Sequence, residues 1–416
     1  MELHSNNSQQ KRVAKKIDFK DLDLLLQQCF NNRDLLAVDY TASKLLPAGE
    51  NYGSIMVKID AKIRKNPNAK EEMLHLVGKT PSCTDKTIVE WPLVFQKELF
   101  MYAELFPLYR ELEKEVNVED CDLINVLPNF VGYRKSLENS ANIDENSVLL
   151  MENLKVKGFY TADKRTGMDV HHARKALTSL ARYHALGIAM KEKRPSFAKK
   201  AINQAGILGI DFAQLDNAYT STCEILMKIP RLKKYSAIIE SSFEKAKDGG
   251  SWKVNPIEPW VTITHGDFWT NNMLFHMDDN GKVDDVKFVD FQTYIYNSPV
   301  KDLVRLLGSS VDVEAQSCHL EELLSLYYKA FVKSLKRMDC DISPFTRESF
   351  DREVKRQAFS EFPVSVISQK FFLSEILDDN KSNEENINNI VNDKPSAAFI
   401  DKMLWLVEVY ERMKWF

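Results

Sequence analysis

The spacing of apolar residues changes part-way along the chain. From about Leu35 to Ile63, and again over Met73–Gly78, apolar positions form short strand-like runs separated by turns. Two further strand-like segments lie around 129–133 and 148–151. After Gly167, apolar residues recur mainly at helical spacing. The pattern predicts a β-rich N-terminal part followed by a mostly helical C-terminal part.

Helical spacing also occurs within the N-terminal part. A short amphipathic helix is predicted over Phe19–Phe30, and a longer helix over 93–112 with a kink expected at Pro107, which lacks a backbone N–H. The polar residues 1–17 predict a flexible tail. Residues 378–395, which are rich in Asn, Asp and Glu, predict a mobile surface loop.

One stretch carries the strongest chemical signal. His265-x-Asp267 is followed by four residues and Asn272, and an apolar strand later ends in Asp290-Phe291. This is the spacing of the catalytic loop and the metal loop in kinases. It contains an Asp to accept a proton, an Asn to hold a metal and a second Asp to hold a metal. We call residues 265–272 the catalytic loop.

The intervening residues predict a β-hairpin. Asn280-Gly281 is typical of a two-residue turn with positive φ at both positions. Such a turn would pair Asn272 with Val289 and place Asp290 one step further. Cross-strand neighbours lie roughly 4.5–5.5 Å apart, so an amide oxygen and a carboxylate would converge where one or two Mg²⁺ ions find oxygen ligands. A surface hairpin with acidic decoration is the alternative, but it does not explain the apolar residues that flank these polar groups.

Two charged residues in the N-terminal part extend this hypothesis. Lys79 lies at the end of a strand, where a nucleotide-binding kinase fold places its phosphate-contacting lysine, although most lysines in such positions are solvated. Glu98 adjoins the apolar stripe of the predicted helix and could pair with Lys79. The turn containing Gly49 and Gly53 could cover phosphates with backbone N–H groups, and an ordinary hairpin loop is equally compatible with it.

Two polar residues of the C-terminal part allow alternative interpretations. His184, in an apolar helix face, is expected to be a hydrogen-bonded core histidine rather than a ligand. Asp302 precedes an apolar helical run, where it is either a helix N-cap or a hydrogen-bonding brace for the catalytic loop.

Composition and charge exclude several classes of protein. The chain has 416 residues, which suggests two or three domains or two lobes sharing a cleft. Its net charge of −4 predicts no general attraction to nucleic acid. The six cysteines are scattered without a Cys-x-x-Cys pair, so reduced thiols in a cytoplasmic protein are expected. The first residues are polar, so no secretory signal is expected. The sequence contains no run of 18 apolar residues, so no membrane span is expected. No obligate protein partner is evident.

Taken in order, these motifs resemble the insect ecdysteroid kinase-like family, which is related to choline kinases and aminoglycoside phosphotransferases. The likeness covers roughly residues 35–335. Trp269 and Gln292 distinguish the chain from eukaryotic protein kinases, which have other residues at these positions. The resemblance implies an α+β, two-lobed protein-kinase-like fold, with a small β-rich N-lobe over 18–151 and a larger helical C-lobe over 152–416.

The resemblance also implies roles for the motif residues. Asp267 would be the catalytic base, and His265 would brace the backbone of the catalytic loop. Asn272 and Asp290 would hold Mg²⁺. The residues that would contact ATP, directly or by positioning Lys79, are Lys79, Glu98, Gly49, Asn51, Gly53, Glu152 and Leu154.

The expected activity is ATP- and Mg²⁺-dependent phosphorylation of a small-molecule alcohol, such as an ecdysteroid or another lipophilic compound. A catalytically silent nucleotide-binding sensor or scaffold is the main alternative, but retention of all the motif residues argues against it. A metal-dependent phosphatase is less favoured because the eight histidines form no ligand cluster.

Overall fold

The structure, a computed structural model, describes residues 19–45, 54–81, 90–138, 142–208, 212–247, 249–253, 256–374 and 383–416. Within these ranges five strands form one antiparallel sheet, in the spatial order β1-β2-β3-β5-β4. The strands are β1 (Leu36–Lys44), β2 (Ile55–Arg64), β3 (Glu72–Thr80), β4 (Phe130–Arg134) and β5 (Val148–Glu152). The predicted β-rich N-terminal part is confirmed.

Helices cover both faces of this sheet. Helix α1 (Leu22–Cys29) packs on one face in a cluster that includes Val148. On the other face Leu149 packs against Phe95 of α2 (Trp91–Phe100). Because successive side chains of a strand point to opposite faces, strand β5 contributes to both layers.

The long predicted helix of the N-terminal part is interrupted near its proline. Helix α2 continues through a π-helical turn (Met101–Leu105) into α3 (Phe106–Glu115). In a regular helix the ring of Pro107 would clash with the carbonyl of Ala103, and the proline could donate no hydrogen bond to it. The irregularity expected at Pro107 therefore lies in the turn that precedes it.

The C-terminal part is mostly helical, as predicted. Its helices are α4 (Val170–Lys193), α5 (Pro195–Ala205), α6 (Phe212–Met227), α7 (Ser236–Ala246), α8 (Gly250–Lys253), α9 (Pro299–Ser309), α10 (Val313–Arg337), α11 (Arg347–Phe372), α12 (Asn383–Asn392) and α13 (Ala397–Arg412). Helix α4 packs along α10, and α9 packs along α11. Every residue of α9 is buried, so this helix forms the centre of the C-terminal core.

The loop predicted over 378–395 is partly helical. Helix α12 occupies ten of these residues, whereas 375–382 lie outside the described residues. Ile390 and Val391 are buried, and Val391 packs against Ala218 of α6. These few apolar contacts hold a helix in a segment whose composition is otherwise polar, which is why composition predicted a loop.

The predicted hairpin has the expected register at its base. Strand β7 (Met273–Met277) pairs antiparallel with β8 (Val283–Phe288). The N–H of Val289 donates to the carbonyl oxygen of Asn272 at 3.0 Å. The pairing of these two residues, predicted from the sequence, is therefore confirmed.

The turn of the hairpin differs from the prediction. The N–H of Asp278 donates to the carbonyl of Lys282 at 2.9 Å, which closes a three-residue loop. Of the two residues predicted to have positive φ, only Gly281 does, at 74°. The prediction of a two-residue turn is therefore wrong. A bulge at Asp284 compensates for the extra loop residue, and so the predicted register returns further along.

Together these elements confirm the predicted α+β, two-lobed protein-kinase-like fold, with a five-stranded sheet in the N-lobe and a mostly helical C-lobe. The domain limits 18–151 and 152–416 stay predictions. Residues 1–17, predicted as a tail, lie outside the described residues. No helix in the described ranges combines the length and the apolar character needed to cross a membrane.

Candidate active site

The catalytic loop follows strand β6 (Thr262–Thr264), which pairs with β9 (Ile295–Asn297). At Gly266 the loop adopts φ 81°, and a Cβ at this position would overlap the carbonyl oxygen of Thr293. Positive φ and this close approach both favour glycine. The backbone of the catalytic loop therefore packs directly on the segment that follows Asp290.

Asp302, on α9, braces the catalytic loop. The N-cap of α9 is Ser298, whose hydroxyl oxygen accepts the N–H of Val300. Asp302 Oδ2 accepts the backbone N–H of His265 at 2.6 Å, and its Oδ1 accepts that of Gly266 at 3.0 Å. Burial works to raise the pKa of Asp302, but its hydrogen-bonding and charged neighbours lower it below the ordinary value. Of the two interpretations of this residue, the brace is correct.

His184 supports Asp302 from the core. The ring is fully buried, with Nε2 at 3.1 Å from Asp302 Oδ2 and Nδ1 at 2.7 Å from the hydroxyl oxygen of Tyr327. Burial lowers the pKa of His184, so the ring is neutral near pH 7. A proton on Nε2, donated to the carboxylate, satisfies both contacts. His184 is thus a hydrogen-bonded core histidine, as predicted.

His265 links the catalytic loop to the hairpin. Its Nε2 lies 3.0 Å from the carbonyl oxygen of Val289, and the N–H of Asp267 lies 3.4 Å from its Nδ1. Burial lowers the pKa of His265, and these two partners assign the proton of the neutral ring to Nε2. The residue occupies the bracing position that the family resemblance implies.

Asp267, the candidate base, is only partly buried. The side-chain amide of Asn272 donates to the backbone carbonyl of Asp267 at 2.8 Å and to its Oδ2 at 3.0 Å. Burial of much of the carboxylate raises the pKa of Asp267, and the nearby guanidinium of Arg305 opposes that shift. The carboxylate is thus held in place on a residue that is not fully buried.

Beneath the catalytic loop lies a buried charge cluster that sequence analysis missed. Arg305 Nη1 donates to the carbonyl oxygen of Gly266, and its Nε donates to Glu361 Oε2 at 2.9 Å. Lys301 lies 2.5 Å from the other oxygen of Glu361. The charges of this cluster are paired within the core, which is the condition under which buried charges are tolerated. The cluster ties α11 to the catalytic loop.

On the opposite side of the site, Lys79 joins two carboxylates. Its Nζ lies 2.5 Å from Glu98 Oε2 and 2.6 Å from Asp290 Oδ1. Burial by itself would lower the pKa of Lys79, but the two carboxylates outweigh it and raise the pKa above the ordinary value. Asp290 adopts φ 68°, an uncommon conformation for a residue other than glycine. The pairing of Lys79 with Glu98 predicted from sequence is present in the structure.

Four of the residues described above border one cavity between the two lobes. Lys79, Glu98 and Asp290 form its charged end, together with the neutral amide of Asn272. Glu152 and Leu154 line it together with Asn153 and Lys155. We call residues 152–155, which join the two lobes, the connector. The apolar walls come from both lobes and consist of Leu45, Met56, Val77, Met151, Leu154, Leu274 and Val289. An apolar slot beside a charged end suits a planar base joined to phosphates.

The structure does not describe three of the residues predicted to contact the nucleotide. The predicted phosphate-covering residues Gly49, Asn51 and Gly53 lie outside the described residues.

Comparison with known proteins identifies the family. The family model described as "Ecdysteroid kinase-like family" matches residues 48–340. The chain belongs to the ecdysteroid kinase-like family. The resemblance inferred from the motifs is therefore confirmed. No curated protein matches the chain in sequence.

Several solved structures are similar in shape to this ecdysteroid kinase-like protein. A choline kinase from Cryptosporidium parvum Iowa II has a TM-score of 0.48 at 11% identity, over 94% of this chain and 97% of its own. A Plasmodium vivax ethanolamine kinase has a TM-score of 0.40 at 9% identity, over 90% of this chain and 82% of its own. A microcompartment-associated aminopropanol kinase has a TM-score of 0.39 at 11% identity, over 94% of this chain and 99% of its own.

The ecdysteroid kinase-like site offers oxygen ligands for a magnesium ion. The amide nitrogen of Asn272 is engaged by Asp267, so its amide oxygen is directed away from these acceptors. Asn272 and the partly exposed carboxylate of Asp290 line the same cavity. Within the described ranges no group of three or more His, Cys, Asp or Glu side chains could hold a metal ion. Mg²⁺ commonly binds through one or two carboxylates together with substrate phosphates and waters, so the residues present fit this ion.

Sequence analysis of this ecdysteroid kinase-like chain also missed Lys97. Its side chain is fully buried, and Nζ donates to the carbonyl oxygens of Ile207 at 2.6 Å and Tyr294 at 2.8 Å. Burial lowers the pKa of Lys97 to about 7. The residue adjoins Glu98 on α2 and so ties that helix to the C-lobe. A lysine on an amphipathic helix is usually solvated, and no sequence signal marked this one as buried.

Proposed function

We propose that this protein transfers the γ-phosphoryl group of ATP to a hydroxyl group of a small molecule. The observation that carries the proposal is the contact of Lys79 Nζ with Asp290 Oδ1 at 2.6 Å, beside Glu98 and in a cavity that Asn272 also lines. Lys79 and Asp290 are 211 positions apart. Phosphoryl transfer depends on positioning and on stabilising charge, and a lysine, two carboxylates and an asparagine gathered in one cavity can provide both.

In the proposed reaction, the acceptor oxygen bonds to the γ-phosphorus of ATP. The bond from that phosphorus to the β–γ bridging oxygen breaks, and ADP leaves. The proton of the acceptor hydroxyl passes to the carboxylate of Asp267. Asp267 is only partly buried, and Asn272 holds its carboxylate, which suits a base that must meet substrate without rotating away.

The remaining residues bind and orient. Lys79, kept cationic by its two carboxylate neighbours, would contact the phosphates of ATP, with Glu98 fixing its position. Asn272 and Asp290 would hold Mg²⁺, which when bound offsets the negative charge of the phosphates. The backbone of the connector at Glu152 and Leu154 would hydrogen-bond the adenine.

The proposed acceptor is an ecdysteroid or another lipophilic alcohol. The family to which the chain belongs supports this choice. We place the reaction in the cytoplasm, because the five cysteines of the described ranges are free thiols, as in reducing compartments.

The test is incubation of the purified protein with ATP, MgCl₂ and a panel of steroid and other hydroxylated compounds, followed by mass spectrometry. We expect one compound to gain a phosphoryl group. Asp267→Asn should lower that rate by roughly 10²- to 10⁴-fold, the usual contribution of a general base. The matched control is Asp279→Asn, which changes an exposed aspartate in the turn of the hairpin.

Other outcomes would overturn the proposal. Equal rates for wild type and Asp267→Asn would show that Asp267 is not the catalytic base. Binding of ATP without transfer to any compound would favour a silent nucleotide-binding protein. Release of phosphate from monoesters without ATP would indicate a phosphatase.

A further inference from the structure

Trp269 lies within the catalytic loop but has no role in the reaction described above. Its backbone is extended, at φ −145° and ψ 174°, and a 3₁₀ turn over Thr270–Asn272 follows. The N–H of Asn272 donates to the carbonyl oxygen of Trp269 at 3.0 Å and closes that turn. This local geometry brings the side chains of both residues back to Asp267.

The two oxygens of the Asp267 carboxylate have different surroundings. Oδ2 accepts the indole N–H of Trp269 at 3.1 Å and the amide N–H of Asn272 at 3.0 Å. Oδ1 accepts no hydrogen bond from any residue that the structure describes. Two donors on one oxygen occupy its lone pairs and fix the plane of the carboxylate. The lone pairs of Oδ1 therefore remain available to a proton.

The indole is itself held in place. Its ring stacks on Phe372 with centroids 4.7 Å apart and planes 10° from parallel. Phe372 is buried at the end of α11. The same helix carries Glu361, which pairs with Arg305 beneath the loop. Helix α11 thus supports the catalytic loop at two points, and one of them sets the direction of the indole N–H.

We propose that Trp269 is a positioning residue for the reaction, which fixes the Asp267 carboxylate so that Oδ1 receives the proton of the acceptor. This proposal rests on the proposed function. An uncharged donor suits the role, because a positive charge beside a carboxylate favours its ionised form and so makes it a weaker base. A cationic side chain in this place would lower the basicity of the carboxylate more than an indole does.

The kinetic test removes the N–H and keeps the shape of the ring. Trp269 is replaced by β-(3-benzothienyl)alanine, in which sulfur takes the place of the indole nitrogen. We expect kcat to fall roughly 10- to 100-fold, the range for loss of a hydrogen bond to a charged group. The KM values for ATP and for the acceptor should stay within about twofold. Trp269→Phe should likewise lower kcat and leave both KM values nearly unchanged.

Phe372→Leu is the matched control, because it removes the stacking partner and keeps the indole N–H. It should lower kcat less than the sulfur analogue does. Unchanged affinity for AMP-PNP with MgCl₂ shows that each variant is folded. A sulfur analogue with the kcat of wild type would overturn the proposal, as would a loss that appears only in KM. The second result would assign Trp269 to binding instead.

A spectroscopic test does not depend on activity. The chain has six tryptophans, so the ¹⁵N–¹H indole spectrum is simple, and Trp269→Phe assigns the resonance. We expect the Trp269 resonance to move upfield in Asp267→Asn, which removes the charge of the acceptor, and to stay in place in Asp279→Asn. If the chemical shift of the Trp269 resonance is unchanged in Asp267→Asn, the proposed contact is wrong. If no alcohol is phosphorylated by wild type, the proposed function fails, and this spectrum still decides whether the contact exists.

Discussion

The two sides of the active-site cavity are held by different kinds of interaction. On the catalytic-loop side, the Asp302 carboxylate accepts two backbone N–H groups, and Arg305 donates to the carbonyl of Gly266. On the nucleotide side, the contacts of Lys79 Nζ within the described ranges are with the carboxylates of Glu98 and Asp290. One side is fixed through its backbone, whereas the other is fixed through charged side chains.

This difference matches what the proposed function requires of each side. A base must keep its place throughout the reaction, and buried hydrogen bonds to backbone groups provide that rigidity. A lysine that receives phosphates has to exchange partners, and one carboxylate of an ion pair can be replaced by another anion. Asp290, the more exposed of the two partners of Lys79, is the one that phosphates would replace.

The strongest test of the comparison is Asp302→Ala. We expect the free energy of unfolding to fall by roughly 3–5 kcal/mol, since buried donors of the catalytic loop and of His184 would lose their charged acceptor. Chemical denaturation monitored by circular dichroism measures this change. Asp312→Ala is the control, because Asp312 is an ordinary N-cap that accepts the N–H of Ala315 at 2.6 Å. It should cost about 1 kcal/mol. If the two variants lose the same free energy of unfolding, Asp302 stabilises the protein no more than a helix cap does.

On the nucleotide side, Lys79→Met should act on ligand affinity. Binding of AMP-PNP with MgCl₂ should weaken roughly 10- to 100-fold, as expected for loss of a hydrogen bond between charged groups. Isothermal titration calorimetry measures it. The control Lys62→Met removes a surface lysine of the same sheet, paired with Glu71 at 3.4 Å, and should bind as wild type does. If Lys79→Met also binds like wild type, phosphates do not contact this lysine.

Lys97 connects the two sides and differs from Lys79 in its partners. It has backbone carbonyls and the ring of Tyr294 around it, with no carboxylate bonded to Nζ in the described part of the chain. Its pKa falls to about 7, so the unfolded chain binds more protons than the folded one between that value and the ordinary pKa of lysine. The destabilisation due to Lys97 is therefore complete below pH 7 and is relieved as the pH rises.

The corresponding prediction compares wild type with Lys97→Met at two pH values. From pH 7 to pH 9 the free energy of unfolding of wild type should rise by about 2 kcal/mol relative to the variant. Urea denaturation of both proteins at each pH measures this difference and cancels the other titrating groups. A constant difference between the two proteins would mean that Lys97 stays charged, as Lys79 does.

The site residues that sequence analysis predicted belong to local patterns. The catalytic loop is contiguous, and the hairpin that follows has a register set by its own residues, so Asn272 and Val289 could be paired without coordinates. Lys79 and Glu98 were found because a strand end and an amphipathic helix are visible in sequence.

The residues that were missed depend on burial. Arg305 and Lys97 occur in helices where charged residues are usually solvated, and only tertiary packing shows that both are in the core. Trp269 was noticed as a mark of the family, but its contact with Asp267 depends on the position of α11, which lies about a hundred residues further along the chain. Patterns in sequence identify groups that can react, whereas the residues that hold them in place are identified by the fold.

The smallest expected effect lies at the turn of the hairpin, far from both sides of the cavity. Gly281 has φ 74° and nothing within 4 Å of where a Cβ would lie, so Gly281→Ala should cost about 1 kcal/mol through backbone strain alone. Asn280 is exposed and has no positive φ, and Asn280→Ala should stay within about 0.5 kcal/mol. Thermal unfolding of the two variants measures the costs. Both should keep the kcat of wild type, because the bulge at Asp284 and the braces on the catalytic loop set the base of the hairpin independently of its turn. A fall in kcat for Gly281→Ala would show that the turn helps to position Asn272 and Asp290, and the rigidity assigned to the catalytic-loop side would then be shared with the hairpin.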